Sequence, residues 1–133
     1  MRTANSNNKT LRESLDRAIG LKRQRKNRQA IQILLLLSRQ YPRSATVHGL
    51  LGGTYFELDD MGKAANAFTQ AIRLNPKSEL ASLGLFHSLW ERNQRHQAFA
   101  EMRRFLSIAP SEQYTTLLRD LAIAGQLAPR GAA

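Results

Sequence analysis

The sequence predicts an all-α fold, a superhelical stack of helical hairpins with about seven helices. Apolar residues recur at offsets of three and four along most of the chain, which is typical of amphipathic helices. Polar turns and prolines interrupt these runs at regular places. With 133 residues, 42% of them apolar, the chain is long enough for one folded domain with its own core.

The first hairpin follows a polar N-terminus. Residues 1–10 are rich in Asn and lack apolar periodicity, so a disordered leader is predicted there. The helical pattern begins at Leu11 and continues to a basic segment at residues 22–28. A second helix is predicted over residues 29–40. It ends at Tyr41–Pro42, because proline lacks a backbone N–H and disfavours helical geometry in the residue before it.

The middle hairpin, Ala45–Ser78, is the most regular part of the chain. Its two apolar runs are separated by Asp59–Asp60, which predicts a tight polar turn, and Asn75–Pro76 closes the second run. Two helices joined in this way cannot bury their apolar faces alone. We therefore expect packed neighbours on both sides.

A third hairpin and a single last helix complete the chain. The third hairpin covers residues 79–112, with its polar turn near residues 92–94, and Ala109–Pro110 closes it. The last helix is predicted from about Glu112 to Ala124. Gly125 then ends it, since glycine adopts the left-handed conformation of a helix terminus without steric cost. Residues 126–133 are predicted to be a flexible tail.

The three hairpins are copies of one repeat. Three of the four prolines recur at one constant interval, and four further sets of residues keep the same interval. The sets are Pro42, Pro76 and Pro110; Ala30, Ala64 and Ala98; Leu21, Tyr55 and Leu89; Leu34, Phe68 and Met102; and Leu37, Ala71 and Phe105.

A helix–turn–helix unit of about 34 residues resembles the tetratricopeptide (TPR) family. The middle unit carries most of that family's signature, at Leu51–Gly52, Tyr55, Ala64, Phe68, Ala71 and Pro76. The resemblance divides residues 11–125 into repeats 11–44, 45–78 and 79–112 and a capping helix, 112–125. The outer repeats depart from the signature at Arg17, Phe86 and Phe105, and the two phenylalanines are expected to push neighbouring helices apart.

The resemblance implies a protein-binding function. Members of the family line a groove with the first helix of each repeat and hold a peptide or a helix of a partner there. Carried over by position, the groove has a basic end, an apolar floor with small residues, and apolar anchors at Phe56, Leu83 and Trp90. Its residues are Arg12, Leu15, Asp16, Ile19, Lys22, Arg23, Thr46, Gly49, Leu50, Gly53, Phe56, Glu57, Leu80, Leu83, Gly84, His87, Trp90 and Glu91. The alternative is that the leader or the last helix fills this groove.

The role implied is that of an adaptor or a small chaperone. The residues at the positions that clamp acidic chaperone tails in one subtype of the family are Leu15, Ile19, Leu50, Leu80 and Gly84, so no such clamp is expected. Lys22 and Arg23 are expected to orient a partner that carries an acidic stretch.

The net charge of +10 lies at one end of the chain, because residues 1–44 contribute +9. A basic patch of Lys22, Arg23, Arg25, Lys26 and Arg28 accounts for much of it. This patch is either a solvated turn or a site for an acidic protein or nucleic acid. It contains no interleaved aromatic residues, which favours a protein over nucleic acid.

The run Leu34–Leu37 also allows two interpretations. Leu34 and Leu37 take core positions of the repeat, whereas Leu35 and Leu36 fall where surface residues are usual. Either they form a contact through which the protein self-associates, or neighbouring segments cover them.

No enzyme, cofactor or metal site is expected. His48, His87 and His96 have no second candidate at a metal-ligand spacing, and the chain has no cysteine. Gly49, Gly52 and Gly53 lie inside a predicted helix and do not form a phosphate-binding loop. With no secretory signal and no apolar run longer than five residues, we expect a cytoplasmic protein that does not insert into a membrane.

Overall fold

The computed structural model describes residues 4–125 and contains seven α-helices and no strand within that range. The prediction of an all-α fold with seven helices is confirmed. None of these helices is both long and apolar enough to cross a lipid bilayer. The helices are α1 (Ala4–Arg23), α2 (Asn27–Gln40), α3 (Ala45–Glu57), α4 (Met61–Leu74), α5 (Glu79–Glu91), α6 (Arg95–Leu106) and α7 (Glu112–Ile123).

The N-terminal prediction is wrong for most of the leader. Helix α1 begins at Ala4, so residues 4–10 are helical rather than disordered. Adding a residue to an existing helix costs much less than starting one, and a polar segment can therefore extend a helix that packs further along. Residues 1–3 and the predicted tail, 126–133, lie outside the described residues.

The repeat period appears directly in the helix boundaries. The second helices of the three hairpins begin at Asn27, Met61 and Arg95, which keep the interval of the prolines. Serine residues cap the first helices in the same rhythm: Ser44 Oγ accepts from the Val47 N–H at 3.2 Å, and Ser78 Oγ accepts from the Ala81 N–H at 3.1 Å. Serine at this position is a strong helix start because its side chain satisfies a free backbone N–H.

Each hairpin turn contains one residue in the left-handed conformation, again at the repeat interval. These residues are Arg25, Asp59 and Asn93, with φ of 61°, 65° and 60°. Aspartate and asparagine tolerate this conformation better than arginine, whose Cβ approaches the following carbonyl without compensation.

Arg25→Gly is therefore expected to raise the free energy of unfolding by about 0.5–1 kcal/mol. The relief of strain in the folded turn exceeds the extra freedom that glycine gives the unfolded chain. Urea denaturation measures the change, and Asn93→Gly serves as a control with a smaller expected gain. A loss of stability in Arg25→Gly would show that the arginine side chain supports the turn.

The middle of the core depends on one aromatic ring held between two glycines. Phe68 of α4 lies between Gly52 of α3 and Gly84 of α5. A Cβ atom on Gly52 would lie 2.7 Å from the Phe68 ring, and one on Gly84 would lie 2.4 Å from it. Both distances are shorter than carbon atoms can approach, so the two first helices are spaced by this ring.

The third repeat is packed around aromatic residues. Phe86 is 1% exposed and Phe105 is 2% exposed, and both belong to one buried cluster. The Phe86 ring contacts the rings of Trp90, Phe99 and Tyr114 at centroid distances of 5.7–5.9 Å. The bulky residues that depart from the signature are thus core residues of this cluster.

A buried polar network joins α5, α6 and α7. The Ser82 hydroxyl donates to Glu101 Oε2 at 2.7 Å, and it lies 2.7 Å from the Tyr114 hydroxyl. Since the single Ser82 proton goes to the carboxylate, the Tyr114 hydroxyl donates to Ser82. Arg104 binds both oxygens of Glu101, at 2.8 and 2.7 Å, and also donates to the Pro76 carbonyl at 3.1 Å.

Because of this network, the stability of the fold decreases at alkaline pH. Burial raises the pKa of Tyr114 to about 12, and its hydrogen bond with Ser82 opposes part of that rise. An unfolded tyrosine has a pKa of about 10, so the unfolded state loses this proton first as the pH rises. The stabilising contribution is complete below about pH 10 and is lost as the pH approaches 12.

Between about pH 9 and pH 12 we expect the wild type to lose about 2 kcal/mol more stability than Tyr114→Phe, which has no phenol to ionise. Urea unfolding across this range measures the difference. If the free energy of unfolding fell equally with pH in the two proteins, Tyr114 would ionise alike in the folded and unfolded states.

Candidate functional site

The first helices of the repeats form one groove of about 660 Å³, a volume within the range of ligand-binding cavities. Helices α3 and α5 supply most of its walls. Helix α1 contributes Lys22 at one end, and α7 contributes Gln113 at the other. The groove residues are Lys22, Ala45, Thr46, Gly49, Leu50, Gly53, Phe56, Glu57, Phe68, Ala71, Asn75, Ser78, Leu80, Ala81, Leu83, Gly84, His87 and Gln113.

The groove walls carry apolar side chains that the packing of the repeats leaves accessible. Helix α3 buries Val47 and Leu51 in the core and turns Leu50 and Phe56 to the groove. Helix α5 likewise presents Leu80, which is 80% exposed, beside the nearly buried Leu83. An accessible leucine in an apolar cavity is a contact that a partner's apolar side chain can use.

Two glycines of α3, Gly49 and Gly53, lie in the floor of the groove. A Cβ atom on Gly49 would have no heavy atom within 4 Å, and one on Gly53 would meet only the Lys22 ammonium, at 3.3 Å. A partner backbone can approach α3 at Gly49, whereas the Lys22 side chain takes the space beside Gly53. Gly84 has another role, because the space beside it is filled by the Phe68 ring.

Lys22 brings a positive charge into the groove from α1. Its side chain is 18% exposed, and its ammonium lies 3.7 Å from Glu57 Oε1. The Glu57 side chain is 49% exposed, so this ion pair is only partly shielded from water. Lys22 and Glu57 together make this end of the groove polar.

The opposite wall is uncharged at neutral pH. Burial lowers the pKa of His87 below its ordinary value, and the nearby Glu91 carboxylate opposes that shift. His87 is also shared with a shallower cavity of about 410 Å³ between α5 and α7, which includes Glu112 and Asp120. The groove therefore continues toward a more acidic surface.

Some of the predicted groove residues lie elsewhere. Helix α1 reaches the groove wall only through Lys22, so the wall leaves out the other residues predicted from that helix, namely Arg12, Leu15, Asp16, Ile19 and Arg23. At the end of α5, Glu91 and Trp90 are also outside it. The Trp90 ring stacks on Phe86 at 5.7 Å, and the Arg95 guanidinium covers it at 4.4 Å. The structure thus places Trp90 in the aromatic cluster, outside the groove wall, and its role as an anchor stays a prediction.

The other predicted residues line one cavity. They come from α1, α3 and α5 and are Lys22, Thr46, Gly49, Leu50, Gly53, Phe56, Glu57, Leu80, Leu83, Gly84 and His87. The structure thus brings the small residues, the apolar wall and one cation of the prediction together.

Several groove residues were missed by sequence reasoning. Phe68 and Ala71 come from the second helix of the middle repeat and reach the groove floor between α3 and α5. Gln113 reaches it from α7, where its amide donates to Glu79 Oε1 at 3.1 Å. Glu79 and Gln113 are separated by the repeat interval, which was a usable signal, since α7 takes the place of a fourth first helix.

The basic patch and the leucine run have different environments. Arg23, Arg25, Lys26 and Arg28 are all exposed, at the α1–α2 turn. Leu36 is 54% exposed, whereas Leu35 packs against the buried cluster that includes Leu34 and Val47. The prediction of a paired leucine contact therefore reduces to Leu36. In the described part of the chain, no three His, Asp or Glu side chains are grouped as metal ligands would be.

Comparison with known proteins identifies the repeat. Residues 45–78 match the family model described as a tetratricopeptide repeat, which confirms the assignment that the motif predicted. No curated protein matches the sequence. Among solved structures, a point mutant of MamA is similar in fold, with a TM-score of 0.69 over 77% of this chain and 74% of that chain. At 15% sequence identity the likeness concerns the fold alone.

Proposed function

With residues 45–78 identified as a tetratricopeptide repeat at the centre of the stack, we propose that this protein is a non-enzymatic module for binding other proteins. Its groove holds a peptide or a helical segment of the partner. The protein acts as an adaptor or a small chaperone in the cytoplasm and uses no cofactor. The observation that carries the proposal is the apolar groove itself, with Leu80 exposed in its wall.

The physical basis of binding is burial of apolar surface that folding leaves in water. Leu50 and Phe56 are partly exposed in the groove wall beside the buried Leu83, and Leu80 adds a side chain that is 80% exposed. Burying one such leucine against a partner contributes about 1.5–2 kcal/mol. Gly49 lets the partner backbone come close enough for several of these contacts to form together.

Leu80→Ser is the sharpest test, because the residue is too exposed to support the fold. We expect affinity for a groove-binding partner to fall about tenfold, with the melting temperature nearly unchanged. Ile123→Ser is a matched control: Ile123 is also 80% exposed, on α7, and lies outside the groove. Isothermal titration calorimetry with the partner gives both affinities.

The comparison with Ile123→Ser shows whether the partner binds in the groove. Equal losses for Leu80→Ser and Ile123→Ser, or no loss for either, would place the binding surface outside the groove. The partner for this measurement comes from affinity selection with the wild-type protein.

A second function rests on the exposed basic patch, which can attract nucleic acid or another polyanion. Its binding would weaken steeply with salt and disappear when Arg23, Arg25, Lys26 and Arg28 become glutamine. No shift of a labelled oligonucleotide at low salt would contradict it. A self-association contact through Leu36 is tested by light scattering at high protein concentration, where a strictly monomeric species would exclude it.

A further inference from the structure

Lys22 is a largely buried cation whose hydrogen-bonding capacity is unused within the described residues. An ammonium group has three N–H donors. Here it forms one ion pair, at 3.7 Å, beyond hydrogen-bond distance, and no hydrogen bond inside residues 4–125. The side chain is 18% exposed and lines the groove, so its ammonium can bond to a ligand that enters there. The position favours a ligand oxygen that carries negative charge.

The surroundings of Lys22 also favour an anion. Residues 1–44 carry a net charge of +9, while residues 45–78 and 79–112 are each neutral. The excess positive charge therefore belongs to the first hairpin, and at the groove the Glu57 carboxylate, 3.7 Å from the Lys22 ammonium, offsets part of it. Beyond Lys22, the exposed Arg23 and Arg25 continue the basic surface past the groove.

We propose that the groove selects a protein segment in which an aspartate or glutamate side chain stands next to the apolar anchors. This inference rests on the proposed function and adds the chemistry of the occupant. The carboxylate accepts hydrogen bonds from Lys22, and the neighbouring apolar side chains pack on Leu50, Phe56 and Leu83. Gly49 admits the backbone between these contacts.

The carboxylate belongs to a side chain inside the segment rather than to a chain terminus. The basic surface at Arg23 and Arg25 extends beyond Lys22, so a segment that continues past the groove gains further attraction. A terminal carboxylate at Lys22 would forgo that gain. The orientation follows: the acidic side of the segment lies over α1, and its apolar side lies between α3 and α5.

The test is a selection from random peptides displayed through their C-termini, so that no free terminal carboxylate is present. The library is panned against the wild type and against Gly49→Gln, which fills the open space above α3 with a neutral, helix-compatible side chain. We expect peptides enriched in Asp or Glu beside Leu, Ile or Phe, and we expect Gly49→Gln to retain few of them.

Affinities of the selected peptides then isolate Lys22. Measured by fluorescence anisotropy on amidated peptides, Lys22→Gln is expected to weaken binding about tenfold. Arg39→Gln, which removes an exposed charge from α2 of the same hairpin, is expected to change it less than about twofold. Replacing the peptide's acid with its amide is expected to reproduce the loss seen with Lys22→Gln.

Any other outcome contradicts either this inference alone or the proposed function as well. Groove-dependent peptides without an acid, or with lysine in its place, overturn this inference and leave the proposed function standing. Peptides that bind Gly49→Gln as well as the wild type overturn both, as does the absence of any enriched peptide. Displacement of a bound peptide by an oligonucleotide, lost in Lys22→Gln, would assign the cation to nucleic acid instead.

Discussion

Gly84→Ala is expected to lower the free energy of unfolding by about 2–3 kcal/mol. The added methyl group would lie 2.4 Å from Phe68 Cζ and 2.5 Å from Cε1. The ring has little room to retreat, because it also packs so closely on Gly52 that a Cβ there would lie 2.7 Å from it. Helices α3 and α5 must then separate, and the groove between them changes shape. Urea denaturation measures the loss.

Two further variants make this prediction specific. Gly49→Ala, in the same helix as Gly52 but with open space around its Cβ, is expected to gain about 0.5–1 kcal/mol from helix propensity. Phe68→Leu in the Gly84→Ala background is expected to recover part of the loss, which a double-mutant cycle quantifies. If Gly84→Ala gained stability as Gly49→Ala is expected to, the Phe68 ring would not be confined between α3 and α5 as described.

The second large effect is expected at Glu101. Glu101→Ala should lower the free energy of unfolding by about 3 kcal/mol, because it leaves Ser82 and Arg104 without their shared acceptor. We place the loss at the lower end for a broken buried pair, since the Arg104 side chain is 33% exposed and water partly screens its charge. For a chain of this size, the melting temperature should fall by roughly 10 °C.

Differential scanning calorimetry measures this loss, with Glu13→Ala as the control. Glu13 is an exposed acid on α1, and its removal is expected to change stability by less than about 0.5 kcal/mol. A loss in Glu101→Ala no larger than in Glu13→Ala would mean that the network contributes nothing to joining α5, α6 and α7.

The repeat architecture could be predicted because its signals are local and periodic. The prolines, the small residues and the apolar spacing recur at one constant interval, and each marks the same point of a hairpin. The start of α1 at Ala4 could not be predicted in this way. Its first residues carry no apolar periodicity, and helix there extends a segment that is stabilised further along.

The groove was predictable in position and only partly in composition. Counting along first helices found Gly49, Leu50 and Phe56, since those helices repeat in register. The same counting included Trp90, which lies outside the groove wall because it stacks on Phe86, the residue that stands at the glycine position of the third repeat. The large Phe86 side chain in the core thus changes the position of Trp90, which the repeat pattern alone assigns to the surface.

The polar network could not be predicted from spacing. Ser82, Glu101 and Tyr114 lie on three helices, and the distances between them depend on how those helices pack. Glu101 and Arg104 are three residues apart on α6 and resemble an ordinary surface pair in sequence. The packing of α7 against α5 and α6 leaves Glu101 only 8% exposed, and the spacing of residues in the sequence does not reveal this burial.

The central claim is that partners bind in the groove between α3 and α5, and the glycine amide signals in a ¹⁵N–¹H correlation spectrum test it directly. Upon addition of a selected peptide, we predict large shifts for Gly49 and Gly53, which line the groove. Gly20 and Gly62, which do not line it, should remain in place. Shifts at Gly20 or Gly62 with unmoved signals from Gly49 and Gly53 would place the binding surface elsewhere on the protein and contradict the claim.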